Sequence, residues 1–148
     1  MTDWETVGQC SKCAGAFEYS LIHNGFNDSA YAYCERCGAT AMLSGWSSDI
    51  PPEAGLRLHE RIAAGVEPFL SPCPCGGRFR ASADPRCPAC AEPLDAIAAS
   101  AYIEANAPGV ATGWRWQRSW SGLYSIIVNG REVPDPWARR SVSDVAEA

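Results

Sequence analysis

The feature that most constrains this chain is a set of eight cysteines that fall into four close pairs. The pairs are Cys10 and Cys13, Cys34 and Cys37, Cys73 and Cys75, and Cys87 and Cys90. A Cys-x-x-Cys turn directs two sulfur atoms at one ion, and two such turns complete a tetrahedral shell of four thiolates. The spacers of 20 and 11 residues are long enough for a returning hairpin. The spacing therefore predicts one metal site within residues 10–37 and a second within residues 73–90.

Disulfides and buried free thiols are the alternatives to metal, and the compartment separates them. Residues Met1 to Glu5 carry two acidic groups and no basic group, and no apolar segment follows, so no secretory signal is expected. No stretch approaches the ~20 apolar residues of a membrane helix. We therefore expect a cytoplasmic protein without membrane contact, in which thiols stay reduced and serve as metal ligands.

The cysteine turns resemble the knuckles of tandem zinc-ribbon and rubredoxin-like proteins. The resemblance lies in Cys10-Ser11-Lys12-Cys13 with Cys34-Glu35-Arg36-Cys37-Gly38, and less closely in Cys73-Pro74-Cys75-Gly76 with Cys87-Pro88-Ala89-Cys90. It implies two β-ribbons, each built around one metal with four cysteine ligands. Two structural zinc ions are the expected cofactors. Iron of the rubredoxin kind is the less favoured alternative, because the first module lacks a Cys-Pro-x-Cys-Gly knuckle.

The expected fold class is α+β. Alternating Phe17, Tyr19 and Leu21 predict a strand, and Tyr31 and Tyr33 predict a returning strand that completes a hairpin. Further strands are predicted at residues 40–43 and 78–80, and a β-hairpin turns at Asn129-Gly130. The predicted division of the chain is a zinc ribbon over 1–48, a helical linker over 49–70, a second ribbon over 71–93, a helix plus Trp-rich hairpin over 94–137, and a flexible tail over 138–148.

The two predicted helices rest on start and stop signals. Pro51 and Pro52 suit a helix start and Gly65 a stop, which predicts a short helix over residues 49–65. Asp95 and Asn106 bound the second predicted helix, which ends before Pro108-Gly109.

An enzyme is not expected. A catalytic zinc needs an open coordination position, and four cysteines leave none. His59-Glu60 matches no zinc-hydrolase motif, and no His-Glu-x-x-His is present. The chain is therefore predicted to be a scaffold that binds another protein.

Nucleic acid is the alternative partner. The Trp114-Arg115-Trp116-Gln117-Arg118-Ser119-Trp120 segment could stack on bases, and Arg78, Arg80 and Arg86 could form an anion patch. A strand with its tryptophans in the core explains the first pattern better. The net charge of −5 also disfavours bulk attraction to phosphate. The polar segment from His23 to Ser29 is typical of a turn, with a binding loop as the alternative.

Overall fold

The computed structural model describes residues 5–23, 28–45, 50–95, 102, 105–106 and 124–138. Within these ranges the chain is mostly β-sheet and forms two antiparallel-rich sheets. The strands are β1 (Glu5–Gln9), β2 (Ala16–His23), β3 (Ala30–Cys34), β4 (Thr40–Leu43), β5 (Phe79–Arg80), β6 (Tyr124–Val128) and β7 (Glu132–Pro134).

The first sheet has the strand order β1-β2-β6. β1 and β2 form a hairpin in which Gln9 lies opposite Ala16, and β6 adds antiparallel to the other edge of β2. Alternation along β2 places Phe17 and Tyr19 on the buried face, where their rings meet edge to face at 4.8 Å. The core beneath this sheet consists of Cys10, Phe17, Tyr19, Cys87, Ile126 and Val128.

The second sheet has the order β5-β3-β4-β7, and β7 runs parallel to β4. Every residue of β3 and β4 is buried, so these strands form the centre of the larger core. Ala32 lies opposite Ala41 in this pair, and such small side chains let the chain cover both faces of the sheet closely. Val66, Leu70 and Phe79 fill one side of this core.

The two sheets meet where β6 faces β3 and β4. The backbone amide of Ile126 donates to the Tyr33 hydroxyl at 3.0 Å, and the Thr40 hydroxyl donates to the Ile126 carbonyl at 2.7 Å. Side chains of the second sheet thus pair both the amide and the carbonyl of Ile126, on the edge strand of the first sheet.

The α+β prediction is wrong. The described residues contain no helix of seven or more residues, and the linking helix expected over 49–65 is replaced by two short 3-10 helices, Pro52–Ala54 and Ala64–Phe69. Gly55 takes a left-handed φ of 83° and ends the first of these. The chain then runs beside β3, where the Ile62 amide donates to the Tyr31 carbonyl at 2.9 Å. The closely spaced prolines and glycines prevent a continuous α-helix here.

The second predicted helix, from about Asp95 to Asn106, falls mainly outside the described residues. Asp95, Tyr102, Ala105 and Asn106 are the described members, and the last three are helical in conformation. The tryptophan segment 114–120, most of the His23–Ser29 loop and most of the tail predicted over 138–148 also lie outside the described ranges.

The positions of the strands were predicted better than the way in which the strands pair. β2 and β3 do not form the predicted hairpin, because they belong to different sheets. The Asn129-Gly130 turn exists, with φ of 51° and 67°, but β6 pairs with β2 while β7 pairs with β4. This turn therefore carries the chain from one sheet to the other.

No helix among the described residues is both long enough and apolar enough to pass through a membrane.

Candidate metal centres

The eight cysteines come together in two groups of four. The outer group contains Cys10, Cys13, Cys87 and Cys90, and the inner group contains Cys34, Cys37, Cys73 and Cys75. The sulfur atoms within each group lie within 4.8 Å of one another. Each group could hold one metal ion.

The closest sulfur–sulfur distances show how well each group fits such an ion. In the outer group Cys10 and Cys90 are 3.6 Å apart, and Cys13 and Cys87 are 3.7 Å apart. In the inner group the sulfur atoms of Cys34 and Cys75 are 3.5 Å apart, and those of Cys37 and Cys73 are 3.6 Å apart. A tetrahedron with metal–sulfur bonds of about 2.3 Å has sulfur–sulfur edges of about 3.8 Å. Two of the six edges in each group thus have nearly the length expected in a closed four-thiolate shell, and the remaining edges are no longer than 4.8 Å.

The grouping differs from the predicted one. Consecutive cysteine turns were expected to share an ion, whereas the first turn lies with the fourth and the second with the third. The two cysteine groups are therefore interleaved along the chain, and neither lies wholly within residues 1–48 or 71–93. The physical reason is that Cys10 and Cys87 share one buried core with Phe17 and Val128, and this core includes residues far apart in the chain.

Three of the cysteine turns share one backbone pattern. In the inner turn between β3 and β4, the Cys34 amide donates to the Ala39 carbonyl at 2.9 Å and the Gly38 amide donates to the Cys34 carbonyl at 3.0 Å. The Arg36 amide points at the Cys34 sulfur at 3.4 Å. The turns beginning at Cys10 and Cys87 repeat this arrangement, with Ala14 and Ala91 at the left-handed position that Gly38 occupies.

The remaining turn, Cys73-x-Cys75, is one residue shorter but is also closed by backbone hydrogen bonds and also directs an amide at a cysteine sulfur. The Cys73 amide donates to the Gly77 carbonyl, and the Gly77 amide points at the Cys75 sulfur at 3.3 Å. Gly76 has a φ of 94°. A Cβ on Gly77 would lie 2.7 Å from the Cys34 sulfur, so the two glycines are required for this turn to bring its sulfurs to the inner group.

Hydrogen bonds lower the pKa of some thiols in each group, and burial raises the pKa of others. The amides of Cys13 and Lys12 hold the pKa of Cys10 down at about 7. Burial alone would raise the pKa of Cys75, but the Gly77 amide and the neighbouring thiols outweigh it and bring the pKa to about 7. Burial raises the pKa of Cys37 and Cys73. One thiolate therefore forms readily in each group, and a cation is needed before all four ionise together.

The outer group shows the same resistance to complete ionisation. The Glu92 amide lowers the pKa of Cys90, but burial and the other three thiols outweigh it and raise the pKa to about 12. Lys12 lies at the rim and pairs with Glu92 at 3.0 Å. This contact, followed by the charges of Cys90 and Cys10, raises the pKa of the Lys12 ammonium.

Two arginines connect the inner and outer groups. Arg131 donates to the Cys37 carbonyl at 2.6 Å and to the Arg86 carbonyl at 2.7 Å. Arg86 in turn donates to the Glu35 carbonyl at 2.9 Å and to the Ala91 carbonyl at 2.7 Å. Each guanidinium thus reaches a carbonyl of the inner turn and one beside the outer group. Arg131 was not singled out from the sequence, where it is simply the residue that follows the Asn129-Gly130 turn.

The inner and outer groups also touch through backbone. Gly38 follows the last cysteine of its turn, and a Cβ built there would collide with the Arg86 backbone nitrogen. Arg86 immediately precedes Cys87, so the two knuckles are packed without room for a side chain.

Arg80 and His59, which were also considered from the sequence, do not contribute to either cysteine group. Arg80 pairs with Glu35 at 2.6 Å and with Glu67 at 3.2 Å, so it does not present a free charge to an anion. His59 has a left-handed φ and contacts Asp28 through its Nε2 at 3.1 Å. Within the described ranges, no further group of three or more metal-binding side chains occurs.

Comparison with known proteins gives one family match. The family DUF8255, described as a domain of unknown function, matches residues 6–96. This region contains all eight cysteines and ends before β6. No curated protein and no solved structure matches the chain.

Proposed function

The chain belongs to the DUF8255 family, and we propose that it is a non-enzymatic scaffold held together by two structural zinc ions, one in each cysteine group. The observation that carries the proposal is the set of sulfur–sulfur distances of 3.5 to 3.7 Å across pairs that come from distant parts of the chain. Thiols gathered this closely repel one another when ionised, two of each four being buried, and a divalent cation relieves that repulsion.

A structural role is supported by the closed shell. Four thiolates occupy every position of a tetrahedral zinc ion and leave none for water or substrate. The backbone amides directed at Cys34, Cys75 and Cys87 add partial positive charge around the shell. With its four thiolates bound, each zinc centre would carry a net charge of −2; Arg131 beside the inner turn, and Lys12 near the outer group although it is shared with Glu92, would offset part of it.

A protein partner is favoured over nucleic acid by the way the arginines are used. Five of the seven arginines in the described residues direct their guanidinium groups at partners within the protein, namely Arg36, Arg61, Arg80, Arg86 and Arg131. Such groups are committed to the fold and are poorly placed to release counterions from phosphate. The chain as a whole carries a net charge of −5. A reducing, cytoplasmic location is part of the proposal, because it keeps the thiols available.

The metal is tested by elemental analysis of protein purified without added metal, together with its visible absorbance. Two zinc ions per chain and no colour are expected. Iron with visible charge-transfer absorbance would replace zinc by a redox centre, and a chain free of metal that stays folded would overturn the structural role.

The partner class is tested by titrating zinc-loaded protein with labelled single-stranded and duplex oligonucleotides across a salt series. No binding is expected at physiological salt. Binding that weakens steeply with salt and is reduced in Arg57→Ala or Arg78→Ala would favour nucleic acid instead, since those guanidinium groups make no hydrogen bond or ion pair with the rest of the described chain.

A further inference from the structure

We propose that the two cysteine groups load metal cooperatively, the inner group first, and that Arg131 carries much of the coupling between them. This inference rests on the proposed function, because it concerns how the same two groups acquire their ions.

The nested order of the cysteines sets the sequence of events. The inner group joins Cys37 to Cys73 across the 35 residues 38–72, whereas the outer group joins Cys13 to Cys87 across the 73 residues 14–86. The probability of closing a flexible loop falls as about the 3/2 power of its length, so the inner group closes roughly threefold more readily. Once it is closed, the outer loop is shortened to its two flanking spacers and becomes easier to close by about the same factor.

Contacts in the folded protein add to this chain effect. Arg131 binds the Cys37 carbonyl in the inner turn and the Arg86 carbonyl next to Cys87 in the outer group. These two hydrogen bonds require both turns in their final positions at once. Closing the inner group places one acceptor, and Arg131 then holds the second beside the outer cysteines.

The position of Arg131 strengthens the argument. It follows the Asn129-Gly130 turn between β6 and β7, and its own carbonyl accepts from the Thr40 amide at 2.9 Å. Thr40 begins β4, which directly follows the inner turn. Arg131 is therefore fixed beside the inner turn by both its backbone carbonyl and its guanidinium, and the same guanidinium reaches the residue that precedes Cys87 of the outer group.

The experiment is a zinc titration of the reduced, metal-free full chain followed by native mass spectrometry. Two independent and equal groups would give about half of the chains with one zinc at one equivalent. We expect the one-zinc species to fall well below half, and to carry its ion on the inner group, as shown by alkylation of Cys10, Cys13, Cys87 and Cys90 in that species.

Variants separate the two sources of coupling. Cys34→Ser/Cys37→Ser should weaken zinc binding at the outer group by at least about tenfold, and Cys10→Ser/Cys13→Ser should weaken the inner group by the same factor, because coupling is reciprocal. Arg131→Met should reduce this factor to about the threefold that loop closure alone supplies. Arg57→Met, which removes an exposed arginine, should leave it unchanged. Should Arg131→Met fail to fold, Arg131→Lys serves, with an expected factor between the two.

The outcomes distinguish this inference from the proposed function. A chain that binds no zinc refutes both. A chain that binds two zinc ions with a statistical one-zinc population, or with the same coupling in Arg131→Met as in the unaltered protein, retains the structural zinc role and overturns the inference. Loading of the outer group before the inner one also overturns it.

Discussion

Tyr33 accepts a hydrogen bond from the backbone amide of Ile126, 3.0 Å from its hydroxyl oxygen, and so joins two sheets that share no strand pairing. Both residues are buried, and the Arg61 guanidinium lies 5.1 Å above the centre of the Tyr33 ring. Cys10 and Cys87 of the outer group share the core of the first sheet, and Cys34 and Cys73 of the inner group share the core of the second, so the contact also helps to fix the position of one group relative to the other.

Removing this hydroxyl should destabilise the protein measurably. Tyr33→Phe leaves the Ile126 amide without its acceptor in a buried position, and we expect the free energy of unfolding to fall by about 1–3 kcal/mol. Urea denaturation of the zinc-loaded protein measures it. The control is Tyr102→Phe, which removes an exposed hydroxyl that donates to the Val7 carbonyl and should cost less than about 0.5 kcal/mol. Equal losses in the two variants would contradict the interpretation.

The same tyrosine should make the protein sensitive to alkali. Burial raises the pKa of Tyr33, so the fold keeps it neutral while the unfolded chain ionises near pH 10. Its contribution is therefore intact below about pH 10 and is lost as the pH rises further, by up to about 1.4 kcal/mol per pH unit. The measured quantity is the stability difference between the unaltered protein and Tyr33→Phe at pH 9, 10 and 11. A difference that stays constant across this range would refute the prediction.

Gly38 should be far less tolerant of substitution than Gly130. Both have positive φ, of 76° and 67°, and alanine in that region costs about 1–2 kcal/mol. Around Gly130 there is open space, whereas a Cβ at Gly38 meets the Arg86 backbone. We expect Gly38→Ala to lose clearly more stability in thermal unfolding and to release zinc faster to a chelator. Similar behaviour of the two variants would show that the knuckles are not in close contact in solution.

Double substitutions distinguish the interleaved grouping from a sequential one. Cys10→Ser/Cys87→Ser removes two ligands from one group and should leave one zinc per chain, although more weakly held. Cys10→Ser/Cys34→Ser damages both groups and should leave none. Metal content after desalting measures this, and the reverse result would restore the pairing of neighbouring turns.

Local chemistry explains what could be read from the sequence. Each cysteine turn is defined within six residues by its own hydrogen bonds, as the pattern from Cys34 to Ala39 shows, so the eight clustered cysteines could be identified without knowledge of the fold. The Asn129-Gly130 turn was equally recognisable, because both residues tolerate the positive φ that they adopt.

Partner choice could not be read in this way. Four turns can be joined in three ways, and a preference for short loops selects neighbours. The structure instead follows the burial of Phe17 and Tyr19 against Ile126 and Val128, a contact between segments more than 100 residues apart. Hydrophobic alternation marks such residues as buried but does not say against which strand.

The linking helix failed for a different reason. Leu58 and Ile62 lie at helical spacing, yet Ile62 is buried while Leu58 is 39% exposed. Gly55, with its left-handed φ of 83°, interrupts the helical backbone within residues 49–65, and the amides of His59 and Ile62 donate to the carbonyls of Ser29 and Tyr31 instead. The start and stop signals at the two ends of the segment therefore predicted a helix that the residues between them do not form.

The pairing of β6 with β2 determines how much of the chain must be kept for the metal-binding part to fold. A chain cut after residue 96, where the family match ends, would keep every cysteine yet lose the strand that covers one edge of β2 and the arginine that spans the two groups. Transplanting or fusing the metal-binding part would thus require carrying the chain through residue 134, the end of β7. The cysteine ligands and the strands that support them would have to be kept together in one continuous segment.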